Sequence, residues 1–307
     1  MKLRFLGTGS GVPSKERNVT AIVLDLTQER GTTWLFDCGE ATQHQILKTT
    51  IRPRKIEKIF ITHLHGDHIY GLPGLLSSRS FQDGTTPVTI YGPEGIEEYV
   101  IKSLEVSQTH LRYPLIFQKV DEGLLFEDDQ FIVRCTKLDH GIDSFGYRIE
   151  EKNSTGELLP EKLQAIGLAP GPLYKEIKQN STTTLPDGRI INRSDFIGPD
   201  KQGRTVTILG DTRYIGDLID FIEESDVLVH ESTFAADEEK MAYEYYHTTT
   251  RQAAHLALAG NVNTLLLTHI SSRYQGEDIM DLEAEATAVF PNSKVVTDFL
   301  EWEIAQK

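Results

Sequence analysis

Thr62-His63-Leu64-His65-Gly66-Asp67-His68 is the stretch on which the reading of this chain turns. It places four metal-competent side chains, His63, His65, Asp67 and His68, within six residues. An apolar, β-branched run, Lys58-Ile59-Phe60-Ile61-Thr62, leads into it, and a helix-like Ile69-Tyr70-Gly71-Leu72 follows. Alternate residues of an extended chain share a side, so His63 and His65 point together. Asp67 and His68 then fall where the chain turns into the helix. Such a cluster can serve two adjacent metal ions, one from each pair. Imidazole with carboxylate suits zinc, with manganese or iron as alternatives. A solvated histidine-rich turn is the plainer alternative; the preceding apolar strand and the intervening Gly66 argue against it.

Outward from this stretch, strand-like runs recur at 3–6, 21–24, 34–37, 88–91, 131–133, 206–209, 227–229 and 264–267. They are short, rich in β-branched and aromatic residues, and bounded by Gly, Pro, Asp or Asn. Helical patterns at 40–50, 94–106, 214–224, 248–259 and 279–289 fall between them. The mixture predicts an α/β protein whose sheets are covered by helices. Several runs end abruptly in His or Asp: Thr62-His63, Leu209-Gly210-Asp211, Val229-His230-Glu231 and Thr268-His269. Asp139-His140 follows 131–138 in the same way. A single such ending is an ordinary strand-capping turn. Repeated along the chain, they point to one site assembled from distant sequence, with rigid strands placing the groups.

The segment 152–203 has a different texture. It holds five of the twelve prolines, few aromatics, and two turn-rich stretches, Ala169-Pro170-Gly171-Pro172-Leu173-Tyr174 and Pro186-Asp187-Gly188. It reads as an inserted arm projecting from a single domain of residues 1–307, or as a long surface loop with one hairpin.

Composition narrows the function classes. With 31 Lys and Arg against 46 Asp and Glu, the net charge of −15 has the wrong sign for indiscriminate nucleic-acid coating. Local departures suit a specific anionic ligand. No acidic residue lies between Glu40 and Glu57, where Lys48, Arg52, Arg54 and Lys55 are basic, and 152–203 carries seven basic residues against six acidic. No window approaches the ~18 apolar residues of a membrane span. Two cysteines make no disulfide framework, and the N-terminus lacks a signal-peptide core, so the cytoplasm is the expected location. Cys38 and Cys135 read as buried thiols, and His44, His110 and His255 as structural or surface residues. His230 reads as core or as support behind the ligands. Gly7-Thr8-Gly9-Ser10-Gly11 lacks the Lys-Ser/Thr of a phosphate loop and the full dinucleotide pattern.

His63-x-His65-x-Asp67-His68 resembles the signature of the metallo-β-lactamase superfamily, whose fold is an αββα sandwich. The resemblance covers nearly the whole chain. It implies that His63, His65 and His140 hold one zinc and Asp67, His68 and His269 a second, with Asp211 bridging. The signature alone does not select a substrate, since lactamases, thioesterases, lactonases and nucleases share it. Narrower motifs do. Pro13-Ser14-Lys15-Glu16-Arg17-Asn18 resembles the P-x-K-x-R-N loop of the ribonuclease Z family, endonucleases that trim tRNA precursor 3′ ends. Gly210-Asp211-Thr212-Arg213, His230-Glu231-Ser232-Thr233, His247-Thr248-Thr249-Thr250 and Thr268-His269-x-Ser271-x-Arg273-Tyr274 are similar to that family's later motifs. The second departs from the commoner H-E-A-T. Ala169–Tyr174 resembles the Gly-Pro-rich part of its tRNA-binding arm.

The resemblance implies a zinc-dependent endoribonuclease of the short bacterial form, with two zinc ions per subunit and precursor tRNA as substrate. The trailer would leave with a 5′-phosphate and the tRNA with a 3′-hydroxyl. Two metals ~3.5–4 Å apart would activate a shared water and clamp the phosphate. Asp67 would act as ligand and base together. His247 would protonate the departing 3′ oxygen with Glu231 as its partner, although 243–247 taken alone reads as a surface turn before a Thr-capped helix. Asp37, Asp139 or Glu231 would orient the histidines. Lys15, Arg17 and Asn18 would touch the acceptor end and Arg273 a phosphate. Arg52, Arg54 and Lys55 form a basic patch that would meet the tRNA backbone or simply a solvated loop face. The arm, with Lys175 and Lys178, would be an exosite gripping the tRNA elbow, in a homodimer whose one arm serves the other subunit. Two rivals stand: a same-fold hydrolase of small phosphodiesters, sulfate esters or lactones, and a non-catalytic RNA-binding scaffold.

Overall fold

The computed structural model describes residues 1–306. Its strands in chain order begin with β1 (Lys2–Gly7), β2 (Ala21–Leu26), β3 (Thr32–Phe36), β4 (Ile56–Phe60), β5 (Val88–Gly92) and β6 (Leu115–Lys119). Next come β7 (Gly123–Glu127), β8 (Phe131–Leu138), β9 (Ser144–Glu151), β10 (Thr182–Thr184) and β11 (Ile190–Asn192). β12 (Thr205–Ile208), β13 (Val227–Glu231), β14 (Leu265–Thr268), β15 (Ser293–Val295) and β16 (Glu301–Glu303) close the chain. One seven-stranded sheet runs β16-β1-β2-β3-β4-β5-β6 and a second runs β15-β14-β13-β12-β9-β8-β7.

Strand alternation explains the layering. Leu3, Phe5, Ile22, Leu24, Trp34, Phe36 and Phe60 of the first sheet meet Phe131, Val133, Tyr147, Ile149, Val206 and Val229 of the second in one buried cluster. The other face of the first sheet, with Val23, Leu35, Ile59 and Ile90, is covered by Ile46, Leu72, Leu75, Leu76 and Val100 from helices. The outer face of the second, with Leu209, Leu228, Leu265 and Leu267, is covered by Ile222, Ala253, Ala257, Leu282 and Ala286. Two sheets between helices is the αββα arrangement that the resemblance implied.

β3 to β6 run parallel, as do β12 to β15. The carboxyl ends of parallel strands leave a crevice in α/β sheets, and the strand-end His and Asp residues occupy it. The sequence did not disclose the helix Leu72–Phe81, whose Gly74 and Pro73 weaken its pattern, nor strands β6, β7 and β9.

Two compact units emerge: Met1–Glu150 with Thr205–Ala305, and Glu151–Arg204 with Gln306. The second covers the segment read as an inserted arm, and within it the stretch Ala169–Tyr174, read as turn-rich, leads into a helix. It holds the helices Pro160–Ala165 and Pro172–Gln179, each with Pro in its first turn, and the hairpin β10–β11. Leu163, Ile177 and Phe196 form its own small core, with Leu158, Ile166, Leu168 and Tyr174 against them. Lys175 and Lys178 lie on the exposed side of the second helix. No helix among the described residues is long and apolar enough to cross a membrane.

Candidate metal centre

Four chain segments bring seven side chains into one site. His63 and His65 follow β4, while Asp67 and His68 sit in the short helix Gly66–Ile69 that β4 feeds. His140 follows β8, Asp211 follows β12 and His269 follows β14. His63, His65 and His140 converge as one triad and Asp67, His68 and His269 as another. Asp211 stands between them: its Oδ2 lies 3.6 Å from His63 Nε2, 3.5 Å from His68 Nε2 and 3.2 Å from His269 Nε2.

Hydrogen bonds behind the rings decide which nitrogen faces the site. The Thr62 hydroxyl donates to Asp37, so at 3.0 Å it accepts from His63 Nδ1. His63 Nε2 is thereby left with its lone pair, and this buried atom has no hydrogen-bond partner. His140 Nδ1 donates to the Tyr246 carbonyl at 2.9 Å, and His140 Nε2 lies 3.1 Å from His65 Nδ1. His68 Nδ1 donates to Asp37 Oδ2 at 2.7 Å. Burial holds His63 well below its ordinary pKa, so it stays neutral as a ligand must. Burial opposes ionisation of Asp67, but hydrogen bonds from His269 and His68 outweigh it and keep that carboxyl far below the usual range. Imidazole nitrogens and carboxylate oxygens turned toward one another within 4.8 Å are a donor set that fits metal cations.

Of the three carboxylates left open as supports, Asp37 takes the ligand side. It accepts from the Thr62 amide and hydroxyl as well as from His68. Glu231, buried at the end of β13, accepts from His247 Nδ1 at 2.9 Å and from the amides of Thr212, Thr233 and Thr248. Asp139 is half exposed and faces Arg213. His230 is buried with Nδ1 on the Glu231 carbonyl and touches no ligand residue by hydrogen bond. Burial opposes a charge on His247, but Glu231 outweighs it and raises the imidazole from 6.5 to about 9. His247 is no surface residue; Thr249, two positions on, caps the helix Thr250–Ala259 with a reciprocal box from Gln252.

Several supporting groups were not legible in the sequence. Thr62, Thr233 and the Tyr246 carbonyl orient the candidate ligand histidines, Thr233 through His269 Nδ1 at 2.9 Å. The Gly11 amide donates to Asp67 Oδ2 at 2.8 Å, from a backbone at φ +69° that glycine adopts freely. Its glycine run was the available signal. Asp37, Tyr246 and His269 also adopt positive φ, 57°, 62° and 57°, conformations that cost energy in non-glycine residues and gather at working sites.

The substrate-contact residues divide. Lys15 is exposed at the tip of its loop. Arg17, expected beside it at the acceptor end, is instead only 5% exposed. Its guanidinium donates to Thr8 Oγ1 at 2.7 Å and the Val296 carbonyl at 2.6 Å, because the loop folds its long side chain inward as an anchor. Asn18 is likewise engaged, with Nδ2 on the Glu40 carbonyl and its amide on Asp298. Arg273 is half exposed but paired with Glu238 at 2.8 Å. Arg52, Arg54 and Lys55 are exposed, as are His44, His110 and His255. Cys38 and Cys135 are buried free thiols, each pushed up by burial to about 12.

Comparison with known proteins adds the family. The chain is 58% identical over 299 residues to a ribonuclease Z of Bacillus cereus (strain AH820), covering 97% of each chain. It is 56% identical over 301 residues to that of Bacillus subtilis (strain 168), covering 98% of each. The chain belongs to the ribonuclease Z family. These are tRNA 3′-processing endoribonucleases of the metallo-β-lactamase fold. The crystal structure of human tRNase Z, short form, superposes with a TM-score of 0.71 at 30% identity, over 99% of this chain and 100% of that one. A family model described as anti-Pycsar protein Apyc1 also matches residues 1–125. That match ends before His140, Asp211 and His269, so it spans only the part of the site contributed by the first half of the chain.

Proposed function

We propose that this ribonuclease Z family member cuts tRNA precursors after the mature 3′ end with two zinc ions, leaving a 3′-hydroxyl on the tRNA and a 5′-phosphate on the trailer. The observation that carries the reading is the pair of triads, His63–His65–His140 and Asp67–His68–His269, with Asp211 against both. Those residues would hold the ions, which when bound supply a Lewis-acid clamp on the phosphate and lower the pKa of water.

The chain's own groups do the rest. Asp67, fixed through Oδ2 by the Gly11 amide, orients the attacking water and receives its proton as oxygen bonds to phosphorus. His247 has Nδ1 committed to Glu231, which leaves Nε2 to protonate the departing 3′ oxygen as the P–O bond breaks. The ion pair with Glu231 keeps that proton available at neutral pH. Lys15 contacts the acceptor end. The 151–204 unit, through exposed Lys175 and Lys178, holds the tRNA by shape and phosphate contacts within a cytoplasmic homodimer.

Incubation of purified protein with a precursor carrying a 3′ trailer, with and without a chelator, tests this. The expected result is one chelator-sensitive cut just after the discriminator base. Hydrolysis of small phosphodiesters by zinc-loaded protein that leaves the precursor intact would overturn the tRNA assignment while keeping the metal site.

A further inference from the structure

Arg213 lies two residues beyond Asp211, and it reaches two other segments of the site. Its guanidinium carbon stacks 3.9 Å over the Tyr243 ring and 3.6 Å over the Tyr246 ring. Its Nε donates to the Tyr243 carbonyl at 2.6 Å. Its Nη1 lies 3.6 Å from the carboxylate of Asp139, and its amide donates to the Asp139 carbonyl at 2.9 Å. Asp139 directly precedes His140 and Tyr246 directly precedes His247.

The turn that Arg213 holds is strained and does two jobs. Tyr246 sits at φ +62°, which an aromatic residue keeps only where its surroundings enforce it. In that conformation its carbonyl accepts from His140 Nδ1, turning His140 Nε2 toward His65. The next residue, His247, is thereby delivered to Glu231. A planar guanidinium suits this place because it can lie flat against two rings while its edge donates to a carbonyl.

We infer that Arg213 is a positioning residue that locks the Tyr243–Tyr246 turn, so that one clamp sets both the metal-facing orientation of His140 and the placement of His247. The inference rests on the roles of those two histidines given above. Through His247, Arg213 governs expulsion of a poor leaving group. Through His140, it governs how tightly the His63–His65–His140 triad holds metal.

The two effects are separable by leaving group and by metal titration. Arg213→Ala should lower turnover of precursor tRNA, whose 3′ oxygen needs a proton, by about 10²-fold at saturating zinc. Hydrolysis of bis(p-nitrophenyl) phosphate, whose leaving group needs none, should fall far less. Zinc affinity, measured by chelator competition without any turnover, should weaken about 10-fold or more. Arg213→Lys keeps the charge but not the flat fork, so it should restore little; it carries the same comparison should the alanine variant not fold. His247→Ala is the reference. Loss of precursor turnover in His247→Ala, with none in Arg213→Ala, would overturn this inference alone. Equal loss on both substrates at full metal occupancy would also overturn it, leaving Arg213 as a general fold contact. Full precursor turnover in His247→Ala would overturn the acid role and this inference together.

Discussion

The two halves of the metal centre are built differently. The Asp67–His68–His269 triad is the buried one: His68 leans on the Asp37 carboxylate, and His269 on Thr233, which itself touches Glu231. The His63–His65–His140 triad is more open, with His65 exposed and His140 partly so; His63 leans on the Thr62 hydroxyl, which donates to Asp37, and His140 on the Tyr246 carbonyl, so neither ring has the direct carboxylate contact that His68 has. A carboxylate behind an imidazole raises its basicity and fixes its ring more firmly than a carbonyl does. The buried half is therefore the firmer seat. The open half is the one tied, through the Tyr246 carbonyl, to the turn that carries the proposed acid His247.

Asp211 is common to both halves, and its removal should erase the difference. Asp211→Ala is expected to lose metal from both triads and to reduce cleavage by about 10⁴-fold or more, measured by elemental analysis and precursor cutting. Retention of two ions would show that the halves assemble independently. His247→Ala should cost about 10²–10⁴-fold in turnover with both ions kept. Metal loss in that variant would place His247 among the ligands, a role that its proximity to Asp211 and His269 makes worth measuring. Asp37→Asn should weaken metal binding at the buried half about 10–100-fold through its direct contact with His68, and less at the open half, which Asp37 reaches through Thr62 and His63, so a titration should resolve two affinities. A single unchanged affinity would contradict the asymmetry.

pH sharpens the same contrast. His247 has its pKa raised from 6.5 to about 9 by Glu231 against the effect of burial. Its acid form is the useful one, so turnover from this group persists below that value and falls as pH rises through it. In Glu231→Gln burial acts unopposed by the carboxylate, and the alkaline limb should move toward lower pH. An unmoved limb would assign it to another group. The smallest effects belong to the entry loop. Arg17→Ala should lower stability by roughly 1–3 kcal/mol, since it strips hydrogen bonds from buried Thr8 and Val296 and leaves Asp298 without its cation. Lys15→Ala should leave the melting temperature unchanged and weaken precursor binding, measured by gel shift with Asp67→Ala protein that binds without cutting.

Much of this site could be read from residue order alone, because ligands carry their chemistry in their side chains. His63, His65, Asp67 and His68 lie in one short stretch, and His140, Asp211 and His269 mark the ends of apolar runs. One helix, Leu72–Phe81, and the 151–204 unit were less legible: Gly74 and Pro73 blur the first pattern, and prolines that open helices in the arm look like turn formers. The Arg17 anchor was illegible for another reason. A cation beside Lys15 in a loop has the same local sequence whether it points to solvent or to a carbonyl such as that of Val296, some 280 residues away.

The sequence by itself determined which atoms could bind metal and that strands mix with helices in an α/β fold, since both depend on side-chain type and spacing along the chain. Only the tertiary structure decided which lone pair each imidazole presents, that Asp37 and Glu231 take different histidines, and that Arg213 clamps the turn before His247. Those are consequences of hydrogen bonds and ring contacts between segments far apart in the chain. Their geometry exists only once the sheets have packed.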